Sequence, residues 1–72
     1  RLSDRRIAEE IVGELERSAV LDAAKIEVRV EEGRVALTGQ VNTSLAGWWA
    51  DRTARHTMGV KKVDNALTIK YV

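Results

Sequence analysis

The sequence predicts an α+β domain with the element order α-β-β-α-β. Two segments of strictly alternating apolar residues, 25–31 and 34–41, lie between two segments with helical periodicity. A third alternating segment follows Gly59. We therefore expect a three-stranded mixed sheet with two helices packed on one face.

The first helix is predicted to begin after Ser3 and to fade by Ser18. Apolar residues recur three and four positions apart and so share one face, while glutamates are mostly turned outward. Ser3 is a favourable N-cap, and Asp4 suits the positive end of the helix dipole. The apolar face consists of Ile7, Ala8, Ile11, Val12 and Leu15.

The two strands that follow are predicted to form a hairpin. In 25–31 the residues Ile26, Val28 and Val30 point to one side, which is typical of a half-buried strand. Glu32 and Gly33 make the turn. In 34–41, Gly39 occupies an inward position where a side chain would otherwise lie, so we expect it to let a helix lie against the sheet.

A second helix is predicted from a cap at Asn42, Thr43 or Ser44 to about Met58, with Gly59 as the left-handed residue that ends it. The last strand then follows directly. Its apolar side is assigned to Val63, Leu67, Ile69 and Tyr71. Since the second strand, this helix and the last strand form a right-handed crossover, we place the first strand in the centre of the sheet, between the two parallel strands.

Composition excludes several classes of protein. The chain has 72 residues, of which 44% are hydrophobic and 32% charged, which indicates one small globular domain. It contains no cysteine, so disulfides and thiolate metal sites are excluded. No apolar run reaches the roughly 18 residues that a transmembrane helix needs. Because the chain begins on a charged helix start and not on methionine, we expect a mature protein or an excised domain.

The charge is divided unevenly along the chain. The formal net charge is only +1, which argues against non-specific nucleic-acid binding as the main activity. Residues 1–32 hold six Lys/Arg against nine Asp/Glu, whereas residues 33–72 hold six against two. The basic excess includes Arg52, Arg55, Lys61 and Lys62.

No enzyme motif is present, and no cofactor or metal is predicted. His56 is the sole histidine, and neither a nucleophile with an adjacent base nor an orienting third group accompanies it. Glu31 and Glu32 point to opposite sides of a strand end, which leaves most of a cation's coordination shell unsupplied. Gly33 and Gly39 do not form a phosphate loop, because no Gly-Lys-Ser/Thr follows them.

Taken together, these residues resemble the BON domain, a bacterial family named for osmotic-stress and nodulation proteins. The resemblance rests on the pattern Gly-x-Val-x-Leu-x-Gly-x-Val at 33–41, followed by a helix and then by Gly59-Val60 with Val63, Asn65 and Leu67. Two features depart from the family pattern. Met58 stands where many relatives have proline, and Trp48-Trp49 is heavier than the usual residues there.

The resemblance implies the α-β-β-α-β fold and a non-catalytic module of the bacterial envelope, periplasmic or membrane-associated. It also implies phospholipid binding and a link to osmotic-stress protection or outer-membrane maintenance. Such domains often occur in tandem, so we expect residues 1–72 to be one BON-like domain of a larger or tandem-domain protein. The resemblance supplies no catalytic residues.

The tryptophan pair and the basic residues are the candidate binding site. On a helical wheel Trp49 lies at the edge of the inward stripe, whereas Trp48 projects nearly opposite its centre and should be exposed. An exposed tryptophan beside Arg52, Arg55, Lys61 and Lys62 is typical of a surface that contacts anionic lipid headgroups.

Other interpretations of Trp48 remain open at the level of sequence. It could contact a neighbouring domain or another partner protein, or it could pack locally over Leu45. The cations could simply complement the helix dipole on a solvated face. Stacking of Trp48 on single-stranded nucleic acid ranks lowest, because the acidic first half of the chain would repel phosphate.

Overall fold

The computed structural model describes residues 2–70 and confirms the predicted element order. The elements are α1 (Asp4–Glu16), β1 (Ile26–Glu31), β2 (Arg34–Val41), α2 (Ser44–Arg55) and β3 (Lys62–Ile69). A single turn of 3-10 helix, Ala23–Lys25, precedes β1. Tyr71, which was assigned to the apolar side of the last strand, lies outside the described residues.

Helix α1 begins and packs as its sequence predicts. The Ser3 hydroxyl accepts a hydrogen bond from the Arg6 amide at 3.2 Å, which satisfies one of the free donors of the first turn. Ile7, Ile11 and Leu15 are fully buried. The spacing of the apolar residues therefore determines which face of α1 contacts the sheet.

The order of the strands is β1-β2-β3, and the prediction that the first strand is central is wrong. β2 pairs with β1 in an antiparallel ladder and with β3 in a parallel one, so the crossover through α2 joins adjacent strands. The burial of the strands gives the physical reason. β2 carries the fully buried Val35, Leu37 and Val41, whereas no residue of β1 is fully buried.

The hairpin turn is tied to the first helix. Glu32 and Gly33 both have positive φ angles, 52° and 80°, as a tight two-residue hairpin turn requires. The Asp4 carboxylate accepts hydrogen bonds from the amides of Glu32 at 2.8 Å and Gly33 at 3.1 Å. Asp4 thus fixes the start of α1 against the tip of the β1–β2 hairpin.

Gly39 does not make room for a packing helix, contrary to the prediction. Its φ is +113°, and a Cβ placed there would overlap the carbonyl oxygen of Lys25, the residue before β1. The element that approaches Gly39 is therefore the backbone of the adjacent chain segment, at the end of the 3-10 turn. The close approach of the Lys25 backbone explains the glycine.

Helix α2 is shorter than predicted. Thr43 is its N-cap and accepts a hydrogen bond from the Ala46 amide at 3.1 Å. The helix ends at Arg55 with His56 as C-cap, so the end predicted near Met58 is wrong. Gly59 does have a positive φ of 92°, but it lies in the turn that leads into β3 and does not directly end the helix. A side chain at Gly59 would press on Ile7.

Both helices cover the same face of the sheet and share one core with it. The side of α2 toward the sheet is lined by small residues, Ala46, Gly47, Ala50 and Ala54, which allow close approach. The opposite face of the sheet carries mostly polar and charged residues. The buried core consists of Ile7, Ile11, Leu15, Val35, Leu37, Ala50, Ala54 and Val63.

Candidate functional site

The outward side of α2 exposes a band of large side chains. We call this band the α2 surface and define it by Leu45, Trp48, Trp49, Arg52 and Arg55. Leu45 is 60% exposed, Trp48 53% and Trp49 38%. These apolar side chains point outward because the alanine side of the helix is already buried against the sheet.

Trp48 and Arg52 form a stacked pair on the α2 surface. They lie one helical turn apart, and the guanidinium carbon of Arg52 is 5.4 Å from the centroid of the Trp48 ring. The ring of Trp49 is tilted by 47° to that of Trp48, with 6.2 Å between centroids. The predicted exposure of Trp48 is confirmed, and Trp49 is partly exposed as well.

Arg55 carries a charge that is partly balanced within the helix. Its Nε lies 2.7 Å from Oδ2 of Asp51, one turn earlier. The hydrogen bond to Asp51, and then the charge of that carboxylate, raise the pKa of Arg55. Arg55 therefore stays charged, but it offers an anion less net attraction than Arg52 does.

The four predicted cations do not form one cluster. Lys62 lies on the polar outer face of β3, away from the helices, with its Nζ 3.8 Å from Oδ1 of Asp64. The Lys61 amide donates to the carbonyl of Gly33 at 2.8 Å. The outward position of Lys62 could be predicted from the alternation of side chains along β3, because Val63 points inward and its neighbour must then point outward.

A groove runs between α1 and α2 beside the α2 surface. Its volume is about 470 Å³, and we call it the helix groove. Arg6, Glu10 and Glu14 line its α1 wall. The rest of its lining comes from Trp49, Arg52, Thr53, His56, Thr57, Met58 and Leu2.

A second groove of about 480 Å³ adjoins the first and reaches the hairpin turn. We call it the turn groove, and its lining is Leu2, Asp4, Ile7, Glu32, Gly33, Met58, Gly59 and Lys61. Leu2, Arg6 and Met58 are groove residues that were not predicted from the sequence. The signal that could have found them is the antiparallel order of the two helices, which brings the start of α1 beside the segment after α2.

The helices and the metal-ligating side chains of residues 2–70 were compared with what membrane spans and metal sites require. Neither α1 nor α2 is long and apolar enough to cross a bilayer. Within residues 2–70, no three metal-ligating side chains lie close enough together to hold an ion. His56 lines the helix groove among arginines and threonines, and its backbone caps α2.

Comparison with known proteins identifies the family. The family model of the BON domain matches residues 3–71, nearly the whole chain. No curated protein gives a significant match. The α-β-β-α-β architecture agrees with the family match, as do the glycines at the hairpin turn and before β3. The chain therefore belongs to the BON domain family, whose members are non-catalytic modules associated with the bacterial envelope.

Proposed function

We propose that this domain attaches to anionic phospholipid surfaces of the bacterial envelope through the α2 surface. The observation that carries the proposal is the exposed Trp48 ring with the Arg52 guanidinium stacked on it. An indole ring favours the headgroup level of a bilayer, and a guanidinium beside it can meet lipid phosphates in bidentate fashion.

The shape of the α2 surface supports shallow and reversible attachment. Leu45, Trp48 and Trp49 lie outward on one short helix, so they can enter the interface together without any change in fold. Each basic side chain near an anionic surface contributes about 1 kcal/mol, an attraction that salt screens. On the α2 surface Arg55 is paired with Asp51, whereas Arg52 has no ion pair with residues 2–70, so binding that depends on it should be weak and sensitive to salt.

The charge distribution supports one orientation of the domain. The exposed faces of α1 carry several glutamates, whereas the last turns of α2 carry Arg52 and Arg55. An anionic bilayer would therefore attract α2 and repel the part of α1 that carries Glu9, Glu10, Glu14 and Glu16, whereas Arg5 and Arg6 at the start of α1 would be attracted. The domain would lie on its α2 side, with the polar face of the sheet turned toward water.

Titration with lipid vesicles tests the proposal. We expect phosphatidylglycerol-containing vesicles, but not purely zwitterionic ones, to blue-shift the tryptophan fluorescence. Trp48→Ala should weaken vesicle sedimentation about tenfold, since it removes a large apolar side chain from the interface. Val20→Ala, which truncates an exposed apolar residue outside α2, should leave binding unchanged.

Two results would count against the proposal. Equal binding of wild type and Trp48→Ala would show that the α2 surface is not the contact. Absence of any fluorescence or chemical-shift change at millimolar anionic lipid would exclude lipid as the partner of this domain. The roles in osmotic-stress protection or outer-membrane maintenance follow from family resemblance and depend on this attachment.

A second function, assembly with a neighbouring BON or partner domain, is favoured by the edges of the sheet. β3 pairs on one side with β2, and its other edge leaves backbone groups available to an added strand. Ile69 on this strand is 43% exposed. Binding to vesicles that appears only when a neighbouring domain is linked to this one would favour assembly over direct lipid contact.

A further inference from the structure

The helix groove and the turn groove are adjacent and share two lining residues. Leu2 and Met58 line both grooves, and they are also exposed to solvent, Met58 by 79%. Methionine is unbranched and polarisable, so it adapts to a ligand with little strain. The two grooves therefore meet at Leu2 and Met58, beside the start of α1.

The two grooves differ in chemistry. In the helix groove, Arg6, Arg52 and His56 lie toward the start of α1 and the end of α2, which run side by side here. Glu10 and Glu14 follow Arg6 by one and two turns along α1. Glu14 is also paired with Arg17. An anionic group is therefore attracted to the Arg6 end and repelled from the other end.

The turn groove is suited to a hydrocarbon chain. Its inner wall is formed by Ile7 and by two glycines, Gly33 and Gly59, which present no side chains. The Cγ and Cδ methylene groups of Lys61 lie beside Gly33 and add to the apolar wall. Two acidic residues, Asp4 and Glu32, also line this groove. The Asp4 carboxylate is already bonded to the amides of the hairpin turn, so Glu32 is the acidic side chain that a bound hydrocarbon chain has to pass.

From this juxtaposition we propose that the two grooves together bind one acyl chain that carries an anionic headgroup. The headgroup lies against Arg6 and Arg52 in the helix groove, and the chain crosses Met58 into the turn groove. Arg52 belongs to both the α2 surface and the helix groove. The inference deepens the proposed function, because the ligand is a lipid taken from the bilayer on which α2 lies.

Titration of the isotopically labelled domain with decanoate below its critical micelle concentration tests this site. The five glycine amides serve as reporters in an NMR correlation spectrum. We expect Gly33 and Gly59 to shift in a saturable way, while Gly13, Gly39 and Gly47, which line neither groove, stay in place. Inorganic phosphate, and a cationic detergent of the same chain length, should leave all five unshifted.

Matched variants locate the headgroup. Arg6→Gln should weaken decanoate binding about threefold to fivefold, as expected for loss of an exposed charge contact. Arg5→Gln is the control, because Arg5 is one residue away but lies on the outer side of α1 near Glu9. Equal affinity of the two variants would overturn the placement of the headgroup.

A second pair of variants locates the chain. Met58→Ser should weaken decanoate binding about threefold, since it removes apolar contact from the bridge between the grooves. Leu45→Ser is the control, because Leu45 is exposed on the α2 surface but lines neither groove. Circular dichroism verifies that all variants are folded.

The same titrations separate this inference from the proposed function. Trp48→Ala should weaken vesicle binding about tenfold and keep decanoate binding. If vesicles bind but decanoate shifts none of the glycines, or shifts all five alike, the groove site is refuted and the surface attachment stands. If decanoate binds at Gly33 and Gly59 but vesicles do not bind, the site is confirmed and attachment to membranes is refuted.

Discussion

Asp4 makes polar contacts with residues far away along the chain. Its carboxylate accepts the amides of Glu32 and Gly33, which lie 28 and 29 positions along the chain. Both of these donors point toward the start of α1 because the hairpin turn holds its residues in positive φ. The Asp4 side chain therefore links the start of α1 to the turn of the β1–β2 hairpin.

Replacement of Asp4 should destabilise the domain more than its exposure suggests. We expect Asp4→Ala to lower the free energy of unfolding by about 1–3 kcal/mol, since it removes two hydrogen bonds to a charged acceptor. Asp4→Asn keeps one acceptor oxygen and should cost less. Urea denaturation measures both, with Glu16→Ala as an exposed acidic control on the same helix. A loss no larger than that of Glu16→Ala would contradict this role.

For single residues, the sequence predicts which side chains are exposed better than it predicts which residues they contact. The position of Trp48 on the outer side of α2 follows from the 100° rotation per residue, and the structure confirms it. The bonds of Asp4 could not be predicted in this way, because they depend on how the hairpin packs against the helix. The separation of Lys61 from Lys62 was predictable from the alternation of β3, but clustering along the sequence obscured it.

The glycines of β2 and α1 differ in backbone conformation and in the space around them. Gly39 in β2 has a positive φ, and an added Cβ would meet backbone, which cannot move aside. Gly13 in α1 has ordinary helical geometry, and a Cβ there would have the flexible Arg17 guanidinium as its nearest neighbour, at 3.6 Å. Substitution by alanine should therefore lower the free energy of unfolding at Gly39 and raise it at Gly13.

We expect Gly39→Ala to lower the free energy of unfolding by about 3 kcal/mol or more, because strain at a left-handed position adds to a clash with backbone. Gly13→Ala should raise it by about 0.5–1 kcal/mol, the usual gain of alanine over glycine inside a helix. Chemical denaturation of both variants measures the difference. A neutral Gly39→Ala would show that β1 and β2 can separate at this point.

Strand order is the element-scale feature that the sequence did not yield. Periodicity shows which side of each strand is buried, but it contains no information on which strand is the neighbour of which. Burial in the structure agrees with the central position of β2. β2 has three fully buried apolar residues and two paired edges, whereas β1 has neither.

The whole molecule depends on a core of few side chains. A domain of this length is expected to have a free energy of unfolding of roughly 4–11 kcal/mol. Ile11 is completely buried at the contact between α1 and the sheet. Ile11→Ala should remove about 2–5 kcal/mol, a large part of that total.

Thermal and urea unfolding of Ile11→Ala measure this loss. Val12→Ala is the matched control, because Val12 is adjacent on α1 but 37% exposed. We expect the control to change the free energy of unfolding by less than about 0.5 kcal/mol. Similar losses in both variants would mean that α1 does not pack as the structure describes.

Helix α2 uses different residues for packing on the sheet and for its exposed surface. The residues that hold the helix to the sheet are small and buried, whereas Leu45 and Trp48 extend from the outward side of α2 and are more than half exposed. Substitutions at Leu45, Trp48 or Arg52 can therefore change what the domain binds while its stability remains almost constant. Related domains can thus differ in the exposed residues of α2, and so in what they bind, while the buried residues keep the same fold.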